Sequence, residues 1–408
     1  MTSAPVDTAP PTTDQPGGWR GFWTPKRARL GLFAAIIIAW LLALGMPSSG
    51  WFDFTAFYAA GGLAFSAGVI DLEAINQFQL DNGLEVGPWV YPAGVAVLYA
   101  PFAALPYDVA GALHFSLMLG LLLLAAATWA TLSTLPRRWL FVGALAWGPA
   151  ALGVIGGQNT SLALLLVVIT AWALVHERDG VSGVASGLLT YKPQFAAPLV
   201  GLLLLRGRWL AVFLAAVVFV FHWMLGVVAT GGQLDWPVTW LSNVEAYQEA
   251  DFLANGWKAI SLPSFGRQME YLTGVPGLML LGYAIAIAIV IACIPALRRL
   301  PPVEAVALAA TCGLLISPHA WAYDGALLLP AVAVFAARAA ARGWRWQDRW
   351  WLASAYAIGV AWPLTMPLGF TLIPVVILAA ILALLERGPF RLPEQPRSPD
   401  LGAGAARA

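Results

Sequence analysis

Residues 109–133, VAGALHFSLMLGLLLLAAATWATLS, decide the fold class. No Asp, Glu, Lys or Arg interrupts them, and the run matches the ~17–25 residues that cross a bilayer core as a helix. Apolar runs recur at roughly 30–47, 91–106, 139–155, 160–175, 180–205, 209–230, 277–296, 303–317, 321–337, 350–362 and 369–385. Of the 408 residues, 60% are hydrophobic and 11% charged, and the mean hydropathy is +0.75. Ordinary globular proteins carry about 25% charged residues. A soluble fold of this length would not repeat such runs. The sequence predicts an all-α polytopic transmembrane helical bundle of about twelve spans.

The net charge of +1 points to no class of partner. Basic residues fall singly or in twos and threes between apolar runs, which argues against nucleic acid. Cys293 and Cys312 lie inside apolar segments and read as small core residues. The histidines are scattered without HxxxH or HExxH spacing, so no metal site is expected. There is no P-loop and no dinucleotide-binding glycine pattern. Residues 1–24 and 388–408, rich in Pro, Gly and polar residues, are expected to be disordered tails around a transmembrane domain at 25–387.

Orientation follows from Lys and Arg, which gather on the cytoplasmic side. Arg20, Lys26, Arg27 and Arg29 put the N-terminus inside, and Arg387 and Arg391 do the same for the C-terminus. In one arrangement, 91–106 dips into the outer leaflet and 180–205 breaks into two spans at "YKPQ" (191–194). Only Lys192, Lys258 and Arg267 then remain outside. The rival arrangement lets 91–106 cross and keeps 180–205 whole, which exports three more arginines. The first obeys the charge rule better. It gathers residues 51–90, "LPYDV" (105–109), "GGQN" (156–159), "YKPQ", a long loop at 231–276 and "SPHAWAYD" (317–324) on the external face. That face is expected to be the working one.

In "WFDFTAFYAAG" (51–61), Asp53 is a lone carboxylate where the first span leaves the bilayer. The stretch is expected to lie along the interface. Asp53 reads either as a helix cap or as a functional acid at the membrane boundary. Gln158 and Asn159 are costly amides to bury unless they hydrogen-bond. Lys192 is an ammonium between apolar stretches. Pro193 after it can open a helix whose first-turn amides, from Gln194 onward, face an anion. His319, Tyr323 and Asp324 fall in one short break between apolar runs. Trp257 and Lys258 belong to a loop whose aromatics and charges suit sugars or lipid headgroups alike.

Together these stretches resemble glycosyltransferase family 87, integral membrane enzymes of the GT-C superfamily. Its better-known members are mannosyltransferases that use polyprenyl-phosphate-mannose. The resemblance rests on "FDFTAFYAAGGLAFSAG" (52–68), "YP" (91–92), "GQN", "YKPQ" and "SPHAWAYD" in that order, over roughly 50–330. Ala93 stands where a second proline is common, and the 231–276 stretch carries no recognisable acceptor signature. The resemblance implies a GT-C-like bundle with interfacial helices in the first external loop. It also implies a polyprenyl-phosphate-linked sugar donor, with mannose as the sugar, and a glycolipid or glycan acceptor among the membrane lipids. On this reading Asp53 is the general base, and Lys192, His319 and Gln194 hold the donor phosphate. Tyr58, Tyr91, Gln158, Asn159, Trp257, Lys258, Tyr323 and Asp324 contact the substrates. Transfer would invert the anomeric carbon without a metal or other cofactor, at the external or periplasmic face of the plasma (inner) membrane, with both termini cytoplasmic. The competing class is a lipid or solute transporter or flippase, whose mark would be internal repeats with interrupted helices. No clear repeat relates the two halves.

Overall fold

The computed structural model describes residues 52–361 and 370–386, with scattered residues of 30–40. The expectations for the two tails and for most of the first apolar run lie outside the described residues. Helix α1 (Phe52–Gly62) and helix α2 (Leu72–Asp81) form the first polar stretch. Next come α3 (Val95–Ala103), α4 (Tyr107–Ala130) and the pair α5 (Arg137–Ala146) and α6 (Gly148–Ile155), bent by 66°. The middle holds α7 (Thr160–Val175), α8 (Asp179–Leu188), α9 (Pro193–Leu205) and α10 (Trp209–Ala229). Then follow α11 (Trp236–Asn255), α12 (Leu262–Thr273), α13 (Leu278–Arg299) and α14 (Pro302–Ile316). A 3₁₀ segment, Ala322–Leu328, runs into α15 (Leu329–Arg342), and α16 (Trp346–Ala361) and α17 (Ile373–Leu385) end the described chain.

The described residues are helical, with extended pairing limited to a single bridge between Ala259 and Trp321. Four helical stretches among them are long and apolar enough to cross a membrane: α4, α10, α13 and the continuous Ala322–Arg342. The bent α5–α6 pair makes a fifth. The expected count of about twelve is not reached on this measure, because prolines and glycines cut several apolar runs short. α3 covers only 9 residues of the 91–106 run, about 14 Å at ~1.5 Å per residue. The 180–205 run is divided at Lys192. A 3₁₀ turn (Leu189–Tyr191) follows α8, and Pro193 opens α9 at a position where no backbone donor is needed.

Two expectations about the polar stretches are corrected. The 231–276 stretch is helical over most of its length rather than a loop. Pro237 stands in the first turn of α11, and the Ser261 side chain accepts from the Ser264 N–H to cap α12. Local capping of this kind lets a helix form without a long apolar run. The second correction concerns α1, which is enclosed by protein rather than laid open along one face. Phe54 through Ala60 are all buried, enclosed by the rings of α3 and α4. α2 keeps the one-sided pattern of a surface helix, burying Ile75 and Gln79 while its other residues stay at least partly exposed. Its cap is Asp71, which accepts from Glu73 and Ala74 N–H at 2.9 and 3.3 Å.

Close helix approach holds the middle together. Gly183 and Gly187 of α8 lie against Ala211 and Ala215 of α10 with no room for a Cβ, the small-residue packing that substitutes for hydrophobic drive in lipid. α14 is buried along most of its length and pairs Glu304 with Arg338 of α15. The same guanidinium donates to the Ala383 and Glu386 carbonyls at 2.8 Å, satisfying acceptors left over at the end of α17. By contrast, α10 and α13 turn large apolar side chains such as Phe213, Phe221, Leu280 and Ile291 outward.

Candidate active site

Lys192 ends the 3₁₀ turn after α8 and stands immediately before the first residue of α9. The residue is 4% exposed, and its Nζ lies 2.8 Å from Asp324 Oδ1, across 132 residues of sequence. Thr160 Oγ1 stands 3.5 Å from the same ammonium. The rings of Tyr323, Tyr91 and Phe195 have their centroids 5.4, 5.7 and 5.8 Å from it, within the range of cation–π attraction. Asp324 uses its second oxygen to accept the Trp321 N–H at 3.1 Å. A buried charge is tolerated only when paired and hydrogen-bonded in this way. The ammonium expected to meet a phosphate is thus balanced by a carboxylate of the chain itself.

Beside the pair, the Tyr91 hydroxyl donates to Gln158 Oε1 at 2.8 Å and lies 3.4 Å from Asn159 Oδ1. Tyr191 donates to the Asn159 carbonyl at 2.9 Å, and its ring stacks near that of Tyr91. The turn that presents these amides depends on Gly157, which has φ +78°, a conformation that favours glycine. A Cβ there would meet Phe54 Cβ at 2.7 Å. The adjacent Gly156 carbonyl accepts the Asp53 N–H at 3.1 Å, so the "GGQN" turn clamps the start of α1.

Asp53 lies in the first turn of α1 and is half-buried. A Cβ at Gly156 would lie 3.7 Å from its Oδ2. Asp324 and Asp53 are both within electrostatic reach of the Tyr91 hydroxyl.

His319 sits in the turn between α14 and the 3₁₀ segment. Its N–H donates to Ser317 Oγ at 3.3 Å, and that hydroxyl donates back to the His319 carbonyl at 2.8 Å. The imidazole packs edge-on against Trp321 at 4.6 Å and faces Phe252 at 6.2 Å. Burial pushes its pKa down to about 4, with Asp324 pulling upward and Lys192 pushing further down. Both members of the ion pair are therefore within electrostatic reach of His319. At neutral pH the ring is uncharged and offers one N–H donor.

Trp257 and Lys258 arrive from the next stretch. The Ala259–Trp321 bridge and the Ile260 N–H to Ala320 carbonyl bond, 3.0 Å, align them with the His319 turn. The Lys258 ammonium lies 5.2 Å from the Trp257 ring centroid. Gln194 occupies the first turn of α9. Tyr58 belongs elsewhere: its hydroxyl donates to the Leu105 carbonyl at 2.8 Å, and its ring packs on Tyr107 within the α1–α4 aromatic group.

The structure therefore groups Tyr91, Gln158, Asn159, Lys192, Tyr323 and Asp324, with Asp53 and His319 flanking them. Thr160, Tyr191 and Trp321 complete the group and were not singled out as site residues, although Tyr191 and Trp321 lie within quoted motifs and Thr160 follows one. Among the described residues no set of three or more His, Cys, Asp or Glu is arranged to hold a metal ion. Chemically, the site combines a half-buried carboxylate, a charge-balanced ammonium and a neutral imidazole.

The family model for glycosyltransferase family 87 matches residues 89–318, more than half of the chain. The match contains Tyr91, the "GGQN" turn and Lys192, begins after Asp53 and stops at Pro318. Neither the curated proteins nor the solved structures yield a match.

Proposed function

The chain belongs to glycosyltransferase family 87, a family of membrane glycosyltransferases, and from that premise we propose how this bundle transfers a sugar. The donor is a polyprenyl-phosphate-linked sugar, mannose, and the acceptor is a hydroxyl of a glycolipid or glycan at the external face of the plasma membrane. The surrounding fold is GT-C-like. Shorter apolar helices join the long ones to give about twelve crossings, and both termini are cytoplasmic.

The observation that carries the assignment of roles is the unequal burial of the two carboxylates. Asp324 has both oxygens committed, one to Lys192 and one to the Trp321 N–H. It serves as a counter-ion. Asp53 is half-buried rather than enclosed, which suits a base that must meet an incoming hydroxyl. Asp53 takes the proton of the acceptor hydroxyl as its oxygen attacks the anomeric carbon. The bond from that carbon to the phosphate oxygen breaks in the same displacement, so the configuration inverts. Negative charge then grows on the departing lipid phosphate. Lys192, the His319 N–H and the opening turn of α9 at Gln194 are the groups that stabilise it. Tyr91, Gln158, Asn159, Tyr323, Trp257 and Lys258 offer hydroxyl, amide and aromatic contacts to sugar and acceptor. Tyr58, committed to a backbone carbonyl, shapes α1 instead.

Purified protein supplied with radiolabelled polyprenyl-phosphate-mannose and a membrane glycolipid extract tests this. Asp53→Asn keeps the shape and removes the base, so turnover should fall by about 10²–10⁴-fold with the folded yield unchanged. Near-normal turnover in Asp53→Asn would remove the base role from this residue.

A further inference from the structure

A partly open cavity of about 740 Å³ is lined by Gly31 and Ala34 and by residues of α4, α5, α7, α15 and α16. That volume falls within the ~300–1,000 Å³ of pockets that hold small ligands. Its lining runs from Arg349 of α16 to Leu164, one turn along α7 from Thr160, and Leu329, five residues after Asp324, so the cavity approaches the Lys192 site. The wall is apolar apart from indole edges, the Tyr356 hydroxyl and one charged group. Tyr356 already donates to the Gly143 carbonyl at 3.0 Å. The charged group is Arg349, and among the described residues its guanidinium makes no ion pair. Neighbouring Asp348 is engaged by Arg342 at 2.7 Å and by the Arg345 N–H at 3.0 Å. Arg137 and Arg138 follow Pro136, itself part of the wall. The mouth is therefore cationic while the interior is hydrocarbon-like.

The cavity also has a definite length. Arg349, Leu352, Tyr356 and Val360 line it along one face of α16. The rise from Arg349 to Val360 is about 16 Å at ~1.5 Å per residue, roughly one leaflet of a ~30 Å hydrocarbon core. An apolar slot one leaflet deep with a guanidinium at its mouth matches a lipid with an anionic headgroup. Basic pockets between membrane helices hold such headgroups, and Arg binds phosphate in a planar fork.

We propose that this cavity binds one hydrocarbon chain of an anionic phospholipid from the surrounding bilayer, with the headgroup phosphate on Arg349. Native mass spectrometry of delipidated protein, titrated with phosphatidylglycerol and phosphatidylcholine of identical chains, tests the assignment. The wild type should retain one phosphatidylglycerol with roughly tenfold preference over phosphatidylcholine, the scale of a charge-assisted hydrogen bond. Arg349→Gln should abolish the preference while still admitting a chain. Ala336→Phe, which fills the slot from α15, should reduce retention of both lipids; should it fail to fold, Arg349→Gln alone decides. The proposal is overturned by equal retention of the two lipids in the wild type or by an unchanged preference in Arg349→Gln. It is equally overturned if added polyprenyl phosphate, and not phosphatidylglycerol, occupies the cavity.

Discussion

Breaking the Lys192–Asp324 pair from each side and then removing it whole gives a quantitative test of the site. The side chains are 4% and 3% exposed and meet at 2.8 Å. Asp324→Asn leaves a buried ammonium with the Thr160 hydroxyl at 3.5 Å and three aromatic faces. An orphaned buried charge costs about 3–5 kcal/mol. Retained cation–π contacts return roughly 0.5–2 kcal/mol, so the expected loss is about 2–4 kcal/mol. Lys192→Met is harsher, since it leaves the carboxylate with only the Trp321 N–H, and about 3–5 kcal/mol is expected. The double variant, Lys192→Met with Asp324→Asn, removes both charges and should recover most of the stability, because no uncompensated buried charge remains. The single losses add to about 5–9 kcal/mol, so a double variant within about 2 kcal/mol of wild type puts the coupling at about 3 kcal/mol or more. Unfolding in one defined detergent, followed by tryptophan fluorescence, measures it, and sugar transfer is assayed on the same preparations. Additive losses in the double variant, or a wild-type melt for Asp324→Asn, would refute the claim that these charges depend on each other. A stable double variant should nevertheless be inactive, because the departing phosphate has lost its cation. If it stays active, the phosphate role of Lys192 fails while the ion pair stands.

Other perturbations probe the surrounding geometry. Gly157→Ala demands φ +78° of a residue with a Cβ and drives that Cβ to 2.7 Å from Phe54 Cβ. Asp53 is the neighbour of Phe54, so turnover should fall on the order of 10²-fold, the scale of a 1 Å misplacement, with the acceptor-saturated rate as the readout. His319 predicts a pH signature in stability. Its folded pKa of about 4 lies below the ordinary value near ~6.5, so the unfolded chain takes up the proton first. Melting temperature should hold above pH ~6.5 and decline as pH falls towards 4, whereas His319→Gln should flatten that decline; an unchanged slope in the variant would show that another group titrates.

How much of this was legible in the sequence depends on whether the cause was local. Helical character was legible because apolar runs such as 109–133 have no other solution in lipid. The break at Lys192 was legible because Pro193 cannot continue a preceding turn. Helices α11 and α12 were not, because they form through caps and tertiary contacts, such as Trp236 donating to the Trp223 carbonyl at 3.1 Å, rather than through an apolar run. The burial of α1 was hidden for a related reason: its Ala and aromatic residues suit an interface as well as a core. Of the site, the residue types were legible but the pairing was not. An intramembrane lysine demands an anionic partner, and the sequence reading assigned a substrate phosphate where the fold supplies Asp324, 132 residues away. That difference changes the energetics of binding. A phosphate entering here meets an ammonium already desolvated and already bonded, so its gain is the difference between two charge-assisted contacts. The fold has borne the cost of burying Lys192, and the donor must share the cation with Asp324. On this reading the pair holds the ammonium in place for the moment when the leaving phosphate carries more charge than the bound one, so Lys192 favours departure over ground-state binding.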